Sequence, residues 1–238
     1  MNLTATEPDV SGPKPVPASV PGSEHAAALT LAASTAALTL AASTAGLRVL
    51  ASAGWPESAE DRVVPVIAGF VVSSFSPLAA ETARRCLLRR PAAETATGPA
   101  TAPAPAAGAE RPVTAVVVVS PLGDLGGAVH VAETVDRGGR LGPLLFFQAV
   151  PNAVAGHVAA RWQLTGPVVC VGDTAAGLAV TALLLADGDA DEALLIRVDQ
   201  AHTPDGLDRS AAVLLGPGPE QAREPHRREP QHHEGEQP

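Results

Sequence analysis

A stretch of small and apolar residues from Gly142 to Val180 constrains the fold more than any other part of the 238-residue chain. Pro151 and Asn152 open a small-residue segment that is typical of a helix, and Leu164–Pro167 ends it. Val168–Val171 has the composition of a buried strand, and Gly172–Gly177 turns that strand into another helix. The predicted order is therefore helix, strand, sharp turn and helix.

The same alternation extends over much of the chain. Buried β-branched strands alternate with helices from Val113 to Leu215, which predicts an α/β fold with a mixed, mostly parallel sheet covered by helices. Thr114–Ser120 gives the strongest strand signal, because its run of valines indicates a central strand covered on both faces. We predict further strands at Leu47–Ala51, Val63–Ser74, Ala193–Asp199 and Ser210–Leu215, and helices at Leu78–Arg90, Ala128–Arg137, Ala153–Trp162 and Leu178–Ala186.

The motifs in the constraining stretch resemble the N-terminal half of β-ketoacyl synthases, which have a thiolase-like fold. They read V-P-N-A-x-A-G from Val150, L-x-G-P from Leu164 and D-T-A from Asp173. The chain is most similar to short ketosynthase-like N-terminal-domain proteins encoded near polyketide and aryl-polyene synthases. The resemblance covers about Arg111 to Gly216, is weaker over Leu47–Arg90, and implies half of a thiolase-like fold that dimerises through the predicted strand at Pro167–Val171. The family-motif residues are Pro151, Asn152, Gly156, Gly166 and Pro167.

The resemblance also implies where catalysis would take place. The family carries its acyl-accepting cysteine directly after D-T-A, where this chain has Ala176 behind Asp173, Thr174 and Ala175. A methyl side chain cannot attack a thioester, and Cys170 lies inside the predicted strand, where a thiol is inert. The family's two histidines and lysine come from the C-terminal half of its fold, and this chain ends where that half would begin. We therefore predict no catalytic residue.

Two functions follow from this pattern. The preferred one is a non-catalytic β-ketoacyl synthase-like protein, a pseudoenzyme that acts as an accessory partner in polyketide or fatty-acid-type biosynthesis. It would be a homodimer or a heterodimer with a full ketosynthase. The alternative is an acyltransferase or condensing enzyme that acts with a complementary subunit on acyl-carrier-protein thioesters. A gene product with no selected role is also compatible with the insertions. We predict no cofactor and no metal site, since His232 and His233 lack further ligands at fixed spacing.

Composition divides the chain into a folded part and segments too poor in apolar surface to offset chain entropy. Residues 1–46 form a predicted low-complexity leader that contains the nonapeptide ALTLAASTA twice. Residues 47–216 form the ketosynthase-like domain, with a flexible Pro/Ala-rich insertion at 91–112, and residues 217–238 form a disordered charged tail. The uncharged run 26–47 has about the length of a membrane span, but its Ala, Ser and Thr content favours an Ala-rich helix or a disordered tract.

The distribution of charge argues against nucleic acid and membrane lipid as partners and is compatible with an acidic protein partner. A net charge of −9 with a single lysine argues against nucleic acid and against anionic lipid. Two isolated cysteines, Cys86 and Cys170, favour a reducing cytoplasm. One predicted helix ends in four arginines, which are Arg84, Arg85, Arg89 and Arg90. These cations either complement the negative end of the helix or dock an acidic partner such as an acyl carrier protein.

Smaller features receive structural interpretations. We expect Asn152 to cap its helix, with Val154, Val158 and Trp162 forming the apolar face. We expect a second, flat face for close packing at Ala153, Gly156 and Ala160. His157 is expected at the surface or packed, since no orienting acid or nucleophile is evident nearby. The loop Pro121–Gly127 matches neither a Walker loop nor a dinucleotide fingerprint, so we interpret it as a structural turn.

Overall fold

The computed structural model describes residues 34–91, 111–201, 203 and 206–219. The first helix, α1, is described over residues 34–44. The elements that follow are β1 (Arg48–Trp55), α2 (Phe75–Leu88), β2 (Thr114–Val119), α3 (Leu125–Asp136), α4 (Pro143–Gln148), α5 (Pro151–Trp162), β3 (Val168–Val171), α6 (Thr174–Ala186), β4 (Glu192–Asp199) and β5 (Arg209–Gly216). The predicted strands at Thr114, Val168, Ala193 and Ser210 and the α5 and α6 helices are thus confirmed, with ends shifted by a few residues.

The five strands form one sheet in the order β1-β5-β4-β2-β3. Strand β2 pairs in parallel with both β4 and β3. Strand β5 runs antiparallel to both β4 and β1. It is therefore the one strand of this sheet that opposes the rest, and the prediction of a mixed, mostly parallel sheet covered by helices is confirmed.

Each face of the sheet carries its own hydrophobic core, because successive residues of a strand point to opposite faces. On one face, Val116 and Val118 of β2 pack with buried residues of α2 and α5. On the other face, Val117 and Val119 pack with buried residues of α1 and α6. All six β2 residues are buried, as expected for the central strand. The result is three layers, which we call the α2/α5 layer, the sheet and the α1/α6 layer.

Helix α1 belongs to this folded unit. Leu38 and Ala42, from the second copy of the nonapeptide, are buried against the sheet. The helix ends at Gly46, whose φ of 77° suits a residue without a side chain, and Leu47 N donates to Ala42 O at 3.1 Å. Residues 34–46 therefore pack with the rest of the described fold, and the predicted domain boundary at residue 47 stays a prediction. The leader before residue 34, the 92–110 part of the insertion and the tail after residue 219 lie outside the described residues.

The predicted strand at Val63–Ser74 is wrong. This segment is a loop with one isolated bridge, between Ile67 and Phe70. Three of its five valines (Val63, Val66 and Val71) are exposed, so the apolar pattern that suggested a strand does not bury this segment in the sheet. The first strand, by contrast, is longer than predicted and continues to Trp55.

Two predicted helix starts are also corrected. Helix α2 begins at Phe75 rather than after Ser76-Pro77, with Ser74 at the N-cap position. Asn152 does not cap α5, because Pro151 already occupies the first turn and Val150 precedes the helix. A proline at this position costs no backbone hydrogen bond, so the helix extends back to it.

Helices α3 and α4 are scarcely embedded in the core. Only Gly127 is buried in α3, and no residue of α4 is. Among their exposed side chains are Val129 and Val135 of α3 and Phe146 and Phe147 of α4. The stretch between β2 and α5 therefore presents an uncovered apolar surface.

Candidate functional site

The head of α6 is the centre of the candidate site, because it contains the position at which the resembling family has its nucleophile. Asp173 has an extended backbone, and its Oδ1 accepts a hydrogen bond from Ala176 N at 2.8 Å. Ala176 is the third residue of α6 and is half-buried. The turn from β3 into α6 thus has a well-formed N-cap, but the side chain at the nucleophile position is a methyl group.

A polar trio lies next to this helix head. Arg197, near the carboxyl end of β4, donates from Nη1 to Thr174 Oγ1 at 2.9 Å. Its Nε and Nη2 donate to Asp199 at 2.7 and 3.0 Å, and the bond to this carboxylate raises the pKa of Arg197. The Thr174 hydroxyl is therefore held by a cation rather than by a base, so it has no group to activate it for attack.

Sequence reasoning missed this trio. Thr174 and Arg197 are 23 residues apart and meet only because β4 and β3 flank β2 in parallel register. A charged residue at the carboxyl end of a buried strand was the available signal, since ligand and active sites of α/β sheets lie at that edge.

The two thiols are poorly suited to nucleophilic work. Burial raises the pKa of Cys170 to about 11 and the pKa of Cys86 to about 12. Cys170 lies within β3 opposite Val118, as predicted, and Cys86 is fully buried in α2. Both thiols are therefore protonated at neutral pH, and a protonated thiol is a weak nucleophile.

His157 packs against an aromatic ring. The imidazole meets Phe70 edge-on, with ring centroids 5.7 Å apart and an interplanar angle of 74°. It is half-buried on α5, in agreement with the prediction of a packed or surface histidine. Within the described residues, no group of three His, Cys, Asp or Glu side chains could hold a metal ion.

The family-motif residues fall into structural and exposed positions. A Cβ on Gly166 would lie 2.5 Å from the backbone of Thr114, so only glycine allows β3 to start beside β2. Pro167 O then accepts from Val116 N at 2.8 Å. On α5, Asn152 and Gly156 are exposed, and nothing lies within 4 Å of a Cβ added to Gly156.

Helix α5 has the predicted apolar face but not the predicted second face within this chain. Val154 and Val158 are buried in the core and Trp162 packs against it. The predicted close-packing face has no neighbour within the described residues, because Gly156 and Ala160 are exposed, and its packing stays a prediction. A strip of small residues is thereby left uncovered beside β3.

Beside that strip, the outer edge of the sheet is open. In the described chain, β3 pairs with β2 alone and forms one end of the sheet. Val168, its first residue, is 37% exposed, and Phe146 and Phe147 of α4 are 75% and 66% exposed. An unpaired strand edge is typical of an association surface, and so are exposed aromatic side chains such as those of α4, which contacts α5.

The four arginines at the C-terminal end of α2, two within the helix and two just after it, all pair with carboxylates of the chain itself. Arg85 makes two 2.7 Å bonds to Asp61, is 2.8 Å from Glu81, and lies over the Trp55 ring at 4.5 Å. Bonding from Arg85 lowers the pKa of Asp61 to about 2. The remaining pairs are Arg84 with Glu81 at 2.7 Å, Arg89 with Glu57 at 2.6 Å and Arg90 with Glu192 at 2.6 Å.

Pairing does not remove all four arginines from the surface. The Arg84 and Arg89 side chains are half-exposed, whereas Arg85 is largely covered. The helix end is therefore an ion-pair network with two accessible cations. Docking of an acidic partner there remains a prediction.

A second polar cluster, also missed by sequence reasoning, lies at the carboxyl ends of β2 and β4. Gln200 Nε2 donates to Ser73 Oγ at 3.0 Å and to Ser74 Oγ at 2.9 Å. The two serine hydroxyls donate in turn to Asp124 and Asp208. These bonds tie together three loops, and the bonded residues are 51 to 134 positions apart in the chain. Beside them is a cavity of about 480 Å³, lined by the polar residues Ser74, Gln200 and Asp208 on one part and by Leu122, Leu125 and Val129 on another.

Comparison with known proteins supports the fold. No protein-family model matches the chain, and no curated protein matches it. A chain from the complex of the ketosynthase ApeO with its chain length factor ApeC from Xenorhabdus doucetiae superposes with a TM-score of 0.53 at 15% identity. The match covers 73% of this chain and 79% of that chain.

A second match is partial. The ishigamide ketosynthase/chain length factor superposes with a TM-score of 0.48 at 16% identity, over 63% of this chain and 45% of that chain. This chain therefore spans less than half of that protein's length. The likeness to the ApeO–ApeC complex shows the fold, so the chain has a ketosynthase-like, thiolase-type fold, as the motifs implied.

No helix in the described part of the chain is long and apolar enough to cross a membrane.

Proposed function

We propose that this chain is a non-catalytic ketosynthase-like protein that acts as the accessory partner of a polyketide or fatty-acid-type synthase. The observation that carries the proposal is Ala176. The turn and helix head that would present a nucleophile are intact, and Asp173 caps them, but the side chain is a methyl group.

The neighbouring groups support the same conclusion. The Thr174 hydroxyl is bonded to Arg197, and burial raises the pKa of Cys170 to about 11. Neither side chain is therefore an activated replacement for the missing thiol. A chain that keeps the turn and helix head but has no nucleophile there is better suited to binding and stabilising a partner synthase than to transferring acyl groups.

The surface proposed for the ketosynthase partner is the open edge of β3 with the flanking α4 and α5. It combines an unpaired strand, the exposed Phe146 and Phe147, and the small residues Gly156 and Ala160. An added strand supplies backbone hydrogen bonds, aromatic side chains supply apolar contact area, and small residues permit close approach.

Intact-mass spectrometry tests the absence of catalysis. The purified chain, alone and with a full-length ketosynthase from the same genome, is incubated with acyl and malonyl thioesters on acyl carrier protein. We expect no mass gain on this chain in either mixture. A mass gain on the chain alone overturns the proposal, and a gain that requires the ketosynthase favours the alternative of a condensing enzyme completed by a second subunit.

Ala176→Cys serves as the positive control for that experiment. A thiol in the first turn of a helix has its thiolate stabilised, so this variant should accept an acyl group if the rest of the helix head is competent. Acylation of Ala176→Cys but not of the wild-type chain would locate the loss of activity in this one side chain.

Partner binding is tested separately by co-purification with the same ketosynthase. Phe147→Glu should abolish the complex, because it places a charge in the middle of the proposed contact surface. Leu88→Glu, an equally drastic change on the exposed end of α2, should leave the complex intact. If the wild-type chain forms no complex, the accessory role is wrong.

A further inference from the structure

We propose that the outer face of the α1/α6 layer is a self-association surface, on which a second copy of this chain packs. This face lies on the opposite side of the sheet from α5, whose exposed side belongs to the surface proposed for a ketosynthase. The inference is therefore independent of pairing with a ketosynthase.

Helix α6 is apolar on every side. It contains no charged residue from Thr174 to Ala186. Its sheet-facing side is buried, whereas Ala175, Ala179 and Leu183 are exposed at a spacing of four residues, with Leu183 58% exposed. A soluble helix that is hydrophobic all round is normally covered on all sides, so the outer side of α6 lacks a cover within the described chain.

Helix α1 extends the same surface. A groove of about 700 Å³ runs between the two helices, lined by Leu40 and Ala41 of α1 and by Ala179 and Ala182 of α6. Leu40 is 69% exposed, and residues 34–44 contain no charge. The α1/α6 layer therefore combines exposed leucines with a groove of alanines, into which side chains of a facing helix can pack.

The hydroxyls on this face are already satisfied. Ser43 Oγ donates to Thr39 O at 3.0 Å, and Thr44 Oγ1 donates to Leu40 O at 2.9 Å. Burying a hydroxyl is costly mainly when its hydrogen bond is lost. Because these donors are bonded within their own helix, the face can be dehydrated at little polar cost.

Charge favours a second copy as the occupant. The chain carries a net charge of −9, so two copies repel over most of their surfaces. Along α1 and α6 there is no ionised side chain between residue 34 and Leu47 or between Thr174 and Ala186. Two copies can meet there without burying an unpaired charge. A partner selected by electrostatic complementarity would find nothing to pair with on this face.

The shape of the face suits a symmetric contact. A two-fold axis would place the exposed leucines of each copy over the alanines of the other, as an isologous interface requires. Alanines on facing helices allow interaxial distances near the short end of about 8–10 Å. Ala175, Ala179 and Ala182 provide that close approach.

Sedimentation velocity and native mass spectrometry test the proposal on the full chain, at concentrations up to about 100 µM, where micromolar dimers are populated. We expect the wild-type protein to have twice the 23.9 kDa mass of one chain. Leu183→Glu should weaken self-association by at least about 100-fold, because each interface would bury two new charges.

Leu88→Glu is the matched control, since Leu88 is also 58% exposed but lies on α2 in the opposite layer. This variant should self-associate within about threefold of wild type. Leu40→Glu provides a second disrupting substitution on α1, and circular dichroism checks that each variant is folded. Phe147→Glu should leave self-association unchanged while it removes the proposed ketosynthase contact.

Three results would overturn the proposal. A wild-type chain that is monomeric at the highest concentration has no self-association surface. A Leu183→Glu chain that still dimerises uses another surface, and loss of that dimer in Phe147→Glu would identify the edge of β3. If Leu183→Glu abolished ketosynthase binding in place of self-association, the occupant of the face would be that partner rather than a second copy.

Discussion

The two helical layers that cover the sheet differ in how they meet solvent. The outer side of α2 has a dense network of ion pairs, centred on Arg85 with Asp61 and Glu81. The α1/α6 layer has no charged residue along either helix and leaves Leu40 and Leu183 exposed. Both layers cover the sheet equally well, so the difference concerns what lies outside them. A charged outer face is adapted to water, and a neutral one is adapted to another protein surface.

The ion-pair network shows how the charged layer is stabilised. Arg85 links α2 to the loop after β1, by its bonds to Asp61 and by its contact with Trp55. That loop contains cis-Pro56 and no regular secondary structure. Side-chain pairing therefore holds in place a segment that backbone hydrogen bonding leaves largely unsupported.

The largest expected effect is that of Arg85→Met. This variant leaves Asp61 and Glu81, both mostly covered, without their shared cation. We expect a loss of about 3 kcal/mol in the free energy of unfolding, because the variant leaves the mostly covered Asp61 carboxylate without a cation, whereas Glu81 keeps its pair with Arg84. Urea denaturation measures it, with Leu183→Met in the opposite layer as control, expected within about 0.5 kcal/mol of wild type. If the two variants lost the same free energy of unfolding, the ion pairs would not stabilise the α2/α5 layer more than exposed apolar side chains stabilise the α1/α6 layer.

Acid should weaken the charged layer specifically. The pKa of Asp61 is lowered from 3.8 to about 2 in the folded chain, chiefly by hydrogen bonding to Arg85. Because the unfolded state binds the proton more readily, this stabilisation is present above pH 4 and is lost as the pH falls towards 2. Asp61→Asn should cost about 2 kcal/mol at neutral pH and should flatten this part of the stability profile. An unchanged pH profile in the variant would contradict the assignment.

A smaller effect is expected at Gly156, on the exposed side of α5. Gly156→Ala should raise the free energy of unfolding by about 1 kcal/mol, because the site is helical and nothing lies within 4 Å of the added Cβ. The same change should weaken ketosynthase binding if a partner approaches closely there. Calorimetry and co-purification measure the two effects, and a stabilised variant with undiminished binding would remove Gly156 from the proposed contact surface.

The smallest effect concerns carrier-protein docking, which we propose for the accessible cations of α2. Arg84 and Arg89 are 50% and 49% exposed, and each already pairs with a carboxylate. Replacing both by Gln should lower stability by no more than about 1 kcal/mol and should weaken acyl-carrier-protein binding several-fold at low salt. If acyl-carrier-protein binding changed neither with the substitution nor with salt, Arg84 and Arg89 would not form its docking site.

Sequence alone determined the elements whose signals are local. The valine run of β2 indicated a central strand, because a strand that is buried on both faces is apolar at every position. The Asp173 turn indicated the start of α6, because a helix cap is recognisable from a few adjacent residues. The alanine at position 176 was likewise readable from the sequence, and it is the basis of the proposal that this chain has no nucleophile there. The fold class followed from the order of these elements.

Tertiary structure decided what depends on distant neighbours. Val63–Ser74 has a strand-like composition but forms only one isolated bridge, between Ile67 and Phe70. The second nonapeptide reads as low complexity, yet it packs as α1 because the sheet presents an apolar face to it. The bonds from Arg197 to Thr174 and from Gln200 to Ser73 join residues far apart in sequence. Such contacts arise from the register and order of the strands, which no local pattern encodes.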